Sequence, residues 1–159
     1  MKNGSSAASP QMDSEPSAAD QARNFLRVRE AHKREIAEDY VEMISELSQT
    51  QDAVRTGHLA ERFGVSHATV TNHIQRLIAE GLVHDRPYQP LVLTEQGAAL
   101  AHQSRGRHLL IRSFLIAIGV SPETAEADTE GIEHHVSQET LACFTELLKW
   151  IEREGSPIS

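Results

Sequence analysis

Leu59-Ala60-Glu61-Arg62-Phe63-Gly64-Val65-Ser66, continued by Thr69-Val70-Thr71, is the stretch on which the fold turns. Its apolar residues fit a short helix over residues 57–63. Gly64 stops that helix, because glycine takes the left-handed conformation of a tight connection without strain. A second helix starts at once, with the Ser66 hydroxyl placed to accept from the free N–H groups of its first turn. Val70, Ile74, Leu77 and Ile78 recur along it at helical spacing and leave Ala68, Thr69, Asn72, Gln75 and Arg76 on the opposite face. Gly81 ends it. The pattern is a helix-turn-helix signature that several families share.

Upstream, residues 24–48 are predicted to be helical, with Ile36, Tyr40, Ile44 and Leu47 forming one apolar stripe. Downstream, Leu82-Val83 and Leu91-Val92-Leu93 are two short strand candidates around a turn over residues 84–90. Helix, helix, tight turn, helix and β-hairpin is the order of a winged helix-turn-helix. Thr94 then caps a long helix whose Leu100, Ile111, Phe114, Leu115 and Ile118 share a stripe, broken at Gly119. Two more helices start at Ser121-Pro122 and at Ser137. The predicted fold is mainly α, a winged helix-turn-helix DNA-binding domain over residues 23–94 followed by an α-helical dimerisation domain over residues 95–155. Residues 1–22, rich in Ser, Ala, Pro and acidic side chains, are expected to be a disordered tail.

A chain of 159 residues is too short for a large multi-domain enzyme. Its single cysteine, Cys143, cannot pair internally, no secretory leader opens the sequence, and no apolar run approaches the roughly 18 to 20 residues that cross a bilayer. A soluble cytoplasmic protein is expected. The formal charge of -8 argues against a polyanionic partner until its distribution is read. Arg23, Arg27, Arg29, Lys33, Arg34, Arg55, Arg62, Arg76 and Arg86 lie early, whereas Glu123, Glu126, Asp128, Glu130, Glu133 and Glu139 crowd the later part. That asymmetry suggests one half facing DNA and one that welcomes cations.

On the polar face of the third helix, Asn72 and Gln75 can bond adenine edges, Arg76 can bond guanine, and the Thr69 methyl can touch thymine, with Ser66 and Ala68 at the same end. Arg86 and Tyr88, in the wing turn, would lie near phosphate or the minor groove. Taken singly, each is equally compatible with an ordinary solvated surface. A domain this small covers few base pairs, so the expected complex is a homodimer on near-palindromic double-stranded DNA.

In Glu130-Gly131-Ile132-Glu133-His134-His135, the side chains of Glu130, Glu133 and His134 fall on one helix face while Ile132 and Val136 point elsewhere. Clustered carboxylates repel unless a cation joins them, although an acidic face is more often merely solvated. The first helix poses the same choice with Glu35, Asp39, Glu42 and Glu46, among which periodicity cannot select. His108, beside the long apolar stripe, by itself suggests a half-buried structural histidine.

Glu38-Asp39-Tyr40-Val41-Glu42, Leu91-Val92-Leu93-Thr94-Glu95-Gln96-Gly97, Arg107-His108 with Phe114-Leu115 and Ile118-Gly119-Val120, and Glu130 through Ser137 together are highly specific. Through them, almost the whole chain after about residue 25 resembles the manganese transport regulators of the diphtheria toxin repressor family. That resemblance implies a metal-dependent dimeric repressor of metal-transport genes, not an enzyme, holding two metal ions per subunit between its DNA-binding and dimerisation regions. It implies as ligands Asp39, Glu42, His108, Glu130, Glu133 and His134, with Glu42, Glu130 and Glu133 able to serve both ions. Carboxylates and imidazoles without a sulfur donor suit hard Mn²⁺. Iron-responsive relatives place Met and Cys where Asp39 and Glu130 stand here, so the sequence departs toward the manganese branch. An Fe²⁺ or Zn²⁺ sensor is the alternative, and a di-metal carboxylate enzyme ranks far below, because no Glu-x-x-His turn pairs with a second one. His135 points about one residue's turn away from His134 and is assigned a structural or supporting role.

Overall fold

The computed structural model describes residues 17–155, which form six helices: α1 (Ala18–Thr50), α2 (Thr56–Phe63), α3 (His67–Ala79), α4 (Glu95–Ala117), α5 (Pro122–Ile132) and α6 (Gln138–Glu154). The predicted caps form. Ser66, Thr94, Ser121 and Ser137 each accept through the side chain from the third residue onward, and Pro122 occupies the first turn of α5. Gly64 closes α2 in the left-handed region at φ 64°.

α1 begins inside the stretch expected to be a tail. Ser17 and Asp20 form a reciprocal capping box, each side chain accepting from the other's backbone N–H, and this satisfies donors that a helix start otherwise leaves free. Residues 1–16 of the expected tail lie outside the described residues.

The wing departs from expectation. Among the described residues neither Leu82-Val83 nor Leu91-Val92-Leu93 forms a strand, and the hairpin reduces to one antiparallel bridge between Val83 and Leu93. Two cross-hairpin bonds flank it, from the Thr94 N–H to the Leu82 carbonyl at 3.0 Å and from the His84 N–H to the Val92 carbonyl at 2.9 Å, but the next group along is engaged elsewhere, the Leu91 N–H donating to the Val54 carbonyl at 2.8 Å. With so short a pairing and its groups shared with the loop before α2, a ladder cannot extend.

One core joins these elements. Tyr40, Val41, Ile44 and Leu47 of α1 are buried against Leu59, Val70, Ile74, Leu77, Leu82, Val83 and Ala101, with Ile36, Ile78 and Leu100 packed at its edge. α1 therefore belongs to the winged-helix unit, yet it also lies along α4, which in turn packs on α5 and α6. Phe114 of α4 stacks on Phe144 of α6 with ring centroids 4.2 Å apart. The acidic flank of α1 is thereby brought to the mid-length of α4 and the end of α5.

Candidate metal centre and nucleic-acid surface

A cavity of about 460 Å³ opens between α1, α4 and the C-terminal end of α5, and its walls include Asp39, Glu42, His108, Glu130, Glu133 and His134. Folding thus brings all six residues of the predicted ligand set together. Of the acidic stripe on α1, Glu35 and Glu46 also reach the cavity rim, while Met43 and Phe63 close it toward the core. α5 ends here, where its aligned peptide dipoles favour positive charge.

Glu133 is the central group. Its Oε2 lies 2.7 Å from His108 Nδ1 and its Oε1 3.3 Å from His134 Nε2, so one carboxylate stands between both imidazoles. Burial pushes its carboxyl above the usual range despite the opposing pull of His108. His134 Nε2 is 3.2 Å from Asp39 Oδ1, and His108 Nδ1 is 3.6 Å from Glu130 Oε1. Arg105 approaches Glu42 at 3.7 Å from the rim.

Hydrogen bonds to Asp39 and Glu38 hold the proton on His134, whose pKa is pushed up to about 10 from 6.5. A folded pKa above the unfolded one means that the protonated ring stabilises the metal-free fold fully below pH 6.5, and that this contribution is lost as pH rises through about 10. In chelator, the melting temperature should fall between those limits, and His134→Asn should flatten that fall. An equal slope in both proteins would refute the assignment.

The sequence did not single out two acidic residues that the fold adds. Glu38, buried, accepts from Arg107 and His134, and those contacts lower its pKa although burial alone works in the opposite direction. Glu126 stands 3.3 Å from His108 Nε2 and is paired with Arg112. Its spacing four residues before Glu130 on the same helix face was the available signal. Ligand atoms of His108, Glu126 and Glu130 all lie within 4.8 Å of one another. His135 is exposed on the turn after α5.

The other surface is the outer face of α3. Ala68, Asn72, Gln75 and Arg76 are exposed, as are Arg86 and Tyr88 in the wing. Ser66 and Thr69 are coupled by a 2.9 Å contact between their hydroxyls, and Thr69 is half-buried. Gln75, Arg86 and Tyr88 line a cleft of about 320 Å³ between α3 and the wing, together with Arg55 and Thr71, which the sequence had not singled out. Arg76 instead faces the α1 side, beside Lys33 and His73. Tyr88 is fully exposed and holds a left-handed backbone at φ 64°, a costly conformation for a side-chain-bearing residue. No helix among the described residues is long and apolar enough to cross a membrane.

Comparison with known proteins finds matches over both halves of the chain. Residues 34–91 match the iron dependent repressor N-terminal DNA binding domain, and residues 94–158 match the iron dependent repressor metal binding and dimerisation domain. The chain is 48% identical over 120 residues to the transcriptional regulator MntR of Escherichia coli O157:H7, covering 76% of this chain and 77% of that protein. It is 33% identical over 115 residues to the HTH-type transcriptional regulator MntR of Listeria monocytogenes serotype 4a (strain HCC23), covering 72% and 81% respectively. Among solved structures, a manganese-dependent transcriptional repressor in complex with manganese superposes with a TM-score of 0.64 at 34% identity, over 72% of this chain and 53% of that one. The manganese regulator SloR superposes at 0.63 and 28% identity. This chain spans about half the length of both solved proteins.

Proposed function

The chain belongs to the iron-dependent, or diphtheria toxin, repressor family of metal-dependent DNA-binding regulators, and from that premise we propose that it answers to Mn²⁺ in the cytoplasm, binding two ions per subunit and repressing metal-transport genes. The family consists of transcriptional repressors rather than enzymes. The observation that carries the manganese assignment is the cavity itself, in which the Asp39, Glu42, Glu130 and Glu133 carboxylates meet the His108 and His134 imidazoles from α1, α4 and the end of α5. That donor set fits a hard divalent cation, and its four negative charges match two such ions.

When bound, the metal supplies positive charge that joins carboxylates which otherwise repel. Asp39 and Glu42 then hold α1, part of the winged-helix core, against His108 of α4 and Glu130 and Glu133 of α5. His134 must release its cavity-side proton to donate, so uptake is coupled to pH. The fixed spacing presents the α3 helices of a homodimer to successive major-groove turns of a near-palindromic operator. Metal and DNA thereby become reciprocal ligands.

Anisotropy binding to promoter fragments of metal-transport genes, at fixed salt, with chelator and with buffered Mn²⁺, Fe²⁺ or Zn²⁺, tests this. Tight binding should require metal, and Mn²⁺ should give the full operator affinity even though Fe²⁺ and Zn²⁺ bind such donors more tightly in general. Equal affinity in chelator and in Mn²⁺ would sink the proposal. On the DNA side, Asn72→Ala is expected to cost about 1 to 3 kcal/mol, confined to one base pair. Arg86→Ala should weaken all sequences alike and reduce the salt slope by about 1. Affinities measured across operator variants and salt concentrations separate the two behaviours.

A further inference from the structure

Both cavity histidines have a carboxylate on the ring nitrogen turned away from the predicted ligands. His134 Nδ1 lies 2.7 Å from Glu38 Oε2, which also takes a 2.6 Å bond from Arg107, and the Glu38 side chain is only 5% exposed. His108 Nε2 lies 3.3 Å from Glu126 Oε1, and Arg112 holds the other oxygen of that carboxylate. The remaining nitrogens look inward, His134 Nε2 toward Asp39 and Glu133, and His108 Nδ1 toward Glu133 and Glu130. The two rings are therefore mounted in opposite senses.

A neutral imidazole has one N–H and one lone pair, and a carboxylate only accepts. With a cation in the cavity, the lone pair turns inward and the proton stays on the outward nitrogen. We propose that Glu38 and Glu126, each clamped by an arginine, are positioning residues that set opposite tautomers, so that His134 offers Nε2 and His108 offers Nδ1 to the metal. This rests on the metal-site assignment above. Glu126 lines the same cavity as the six predicted ligands, but its pairing with Arg112, like that of Glu38 with Arg107, leaves it less free charge to offer a cation and supports a positioning role. Glu126 is half-exposed, so changing it leaves the core intact.

Mn²⁺ titration calorimetry on the full chain compares wild type with Glu126→Ala and Glu126→Gln. The alanine variant should weaken one of the two binding steps by about 10- to 100-fold, the range lost when a ligand's outer partner is removed. Glutamine, whose carbonyl still accepts from Nε2–H, should recover most of it. In Cd²⁺-loaded protein, used because it is diamagnetic, ¹⁵N ring shifts should place the proton on Nδ1 of His134 and on Nε2 of His108. The inference is overturned if Glu126→Ala binds like wild type, if glutamine loses as much as alanine, as a direct ligand would, or if both rings carry the proton on the same nitrogen. Wild-type protein that takes up no Mn²⁺ would overturn the metal-site assignment itself and this inference with it.

Discussion

Glu133→Gln should abolish metal-dependent operator binding while leaving the metal-free protein folded and at least as stable. Both halves follow from the position of this side chain, 5% exposed and in contact with His108 and His134 at once. Glutamine has the same shape but neither the charge nor the second acceptor oxygen, so Mn²⁺ affinity should fall by at least about 100-fold, the upper end of what losing an outer partner costs. In chelator the change runs the other way. Burial raises the Glu133 pKa above the unfolded value, so its ionised form disfavours the fold at neutral pH, and a neutral amide relieves that penalty. Melting in chelator and anisotropy in Mn²⁺, made on the same preparation, check the pair. Residual low-salt binding to any DNA should survive, since phosphate contacts do not involve this site. Metal-dependent operator affinity equal to wild type would refute the central role of Glu133.

The parts of the molecule that were legible in the sequence are those whose causes are local. Tyr40, Ile44 and Leu47 recur at helical spacing and are buried, and the hydroxyl caps at residues 66, 94, 121 and 137 sit where Ser or Thr precedes an apolar run. The start of α1 was hidden by composition: Ser17 and Asp20 cap a helix, but the surrounding Ser, Ala and Pro imitate a tail. The wing misled for a different reason. Its apolar residues fit strands, yet whether two short runs pair depends on where neighbouring backbone groups go, and the Leu91 N–H goes to Val54.

The metal centre divides along the same line. Spacing places Glu130, Glu133 and His134 on one face, but it does not say whether that face meets the α1 stripe or water; only the packing of α1 and α5 around α4 does. The family resemblance supplied that missing three-dimensional information. Glu38 escaped because its partners Arg107 and His134 are 69 and 96 residues away in the chain, and a lone acidic residue next to Asp39 carries no periodic signal. Glu126 was legible in principle, one helical turn before Glu130, but looked like one more charge on a solvated face.

Gly97→Ala should be strongly destabilising although it adds a single methyl group. A Cβ at this position would lie 2.0 Å from the Leu82 carbonyl oxygen and 3.0 Å from its carbon, backbone atoms that no rotamer change can move aside. The same carbonyl accepts from the Thr94 N–H at 3.0 Å, and the Thr94 hydroxyl bonds the Gly81 carbonyl at 2.6 Å while accepting from the Gly97 N–H. The methyl therefore drives apart the junction that seats the end of α3 against the start of α4. Overpacking typically costs about 1 to 3 kcal/mol, and breaking these bonds adds to it, so a loss of about 3 kcal/mol and a drop of roughly 6 to 12 °C in melting temperature are expected. Because Leu82 and Val83 are buried in the core shared by α1 and α3, the damage should reach the DNA surface before the metal cavity. Partial unfolding followed by hydrogen exchange should expose α3 and the wing at lower temperature than α5. A melting temperature within 2 °C of wild type, which corresponds to about 0.5 to 1 kcal/mol in a domain of this size, would show that α4 can shift to admit the methyl, and that the close approach at Gly97 does not fix the orientation of the winged helix.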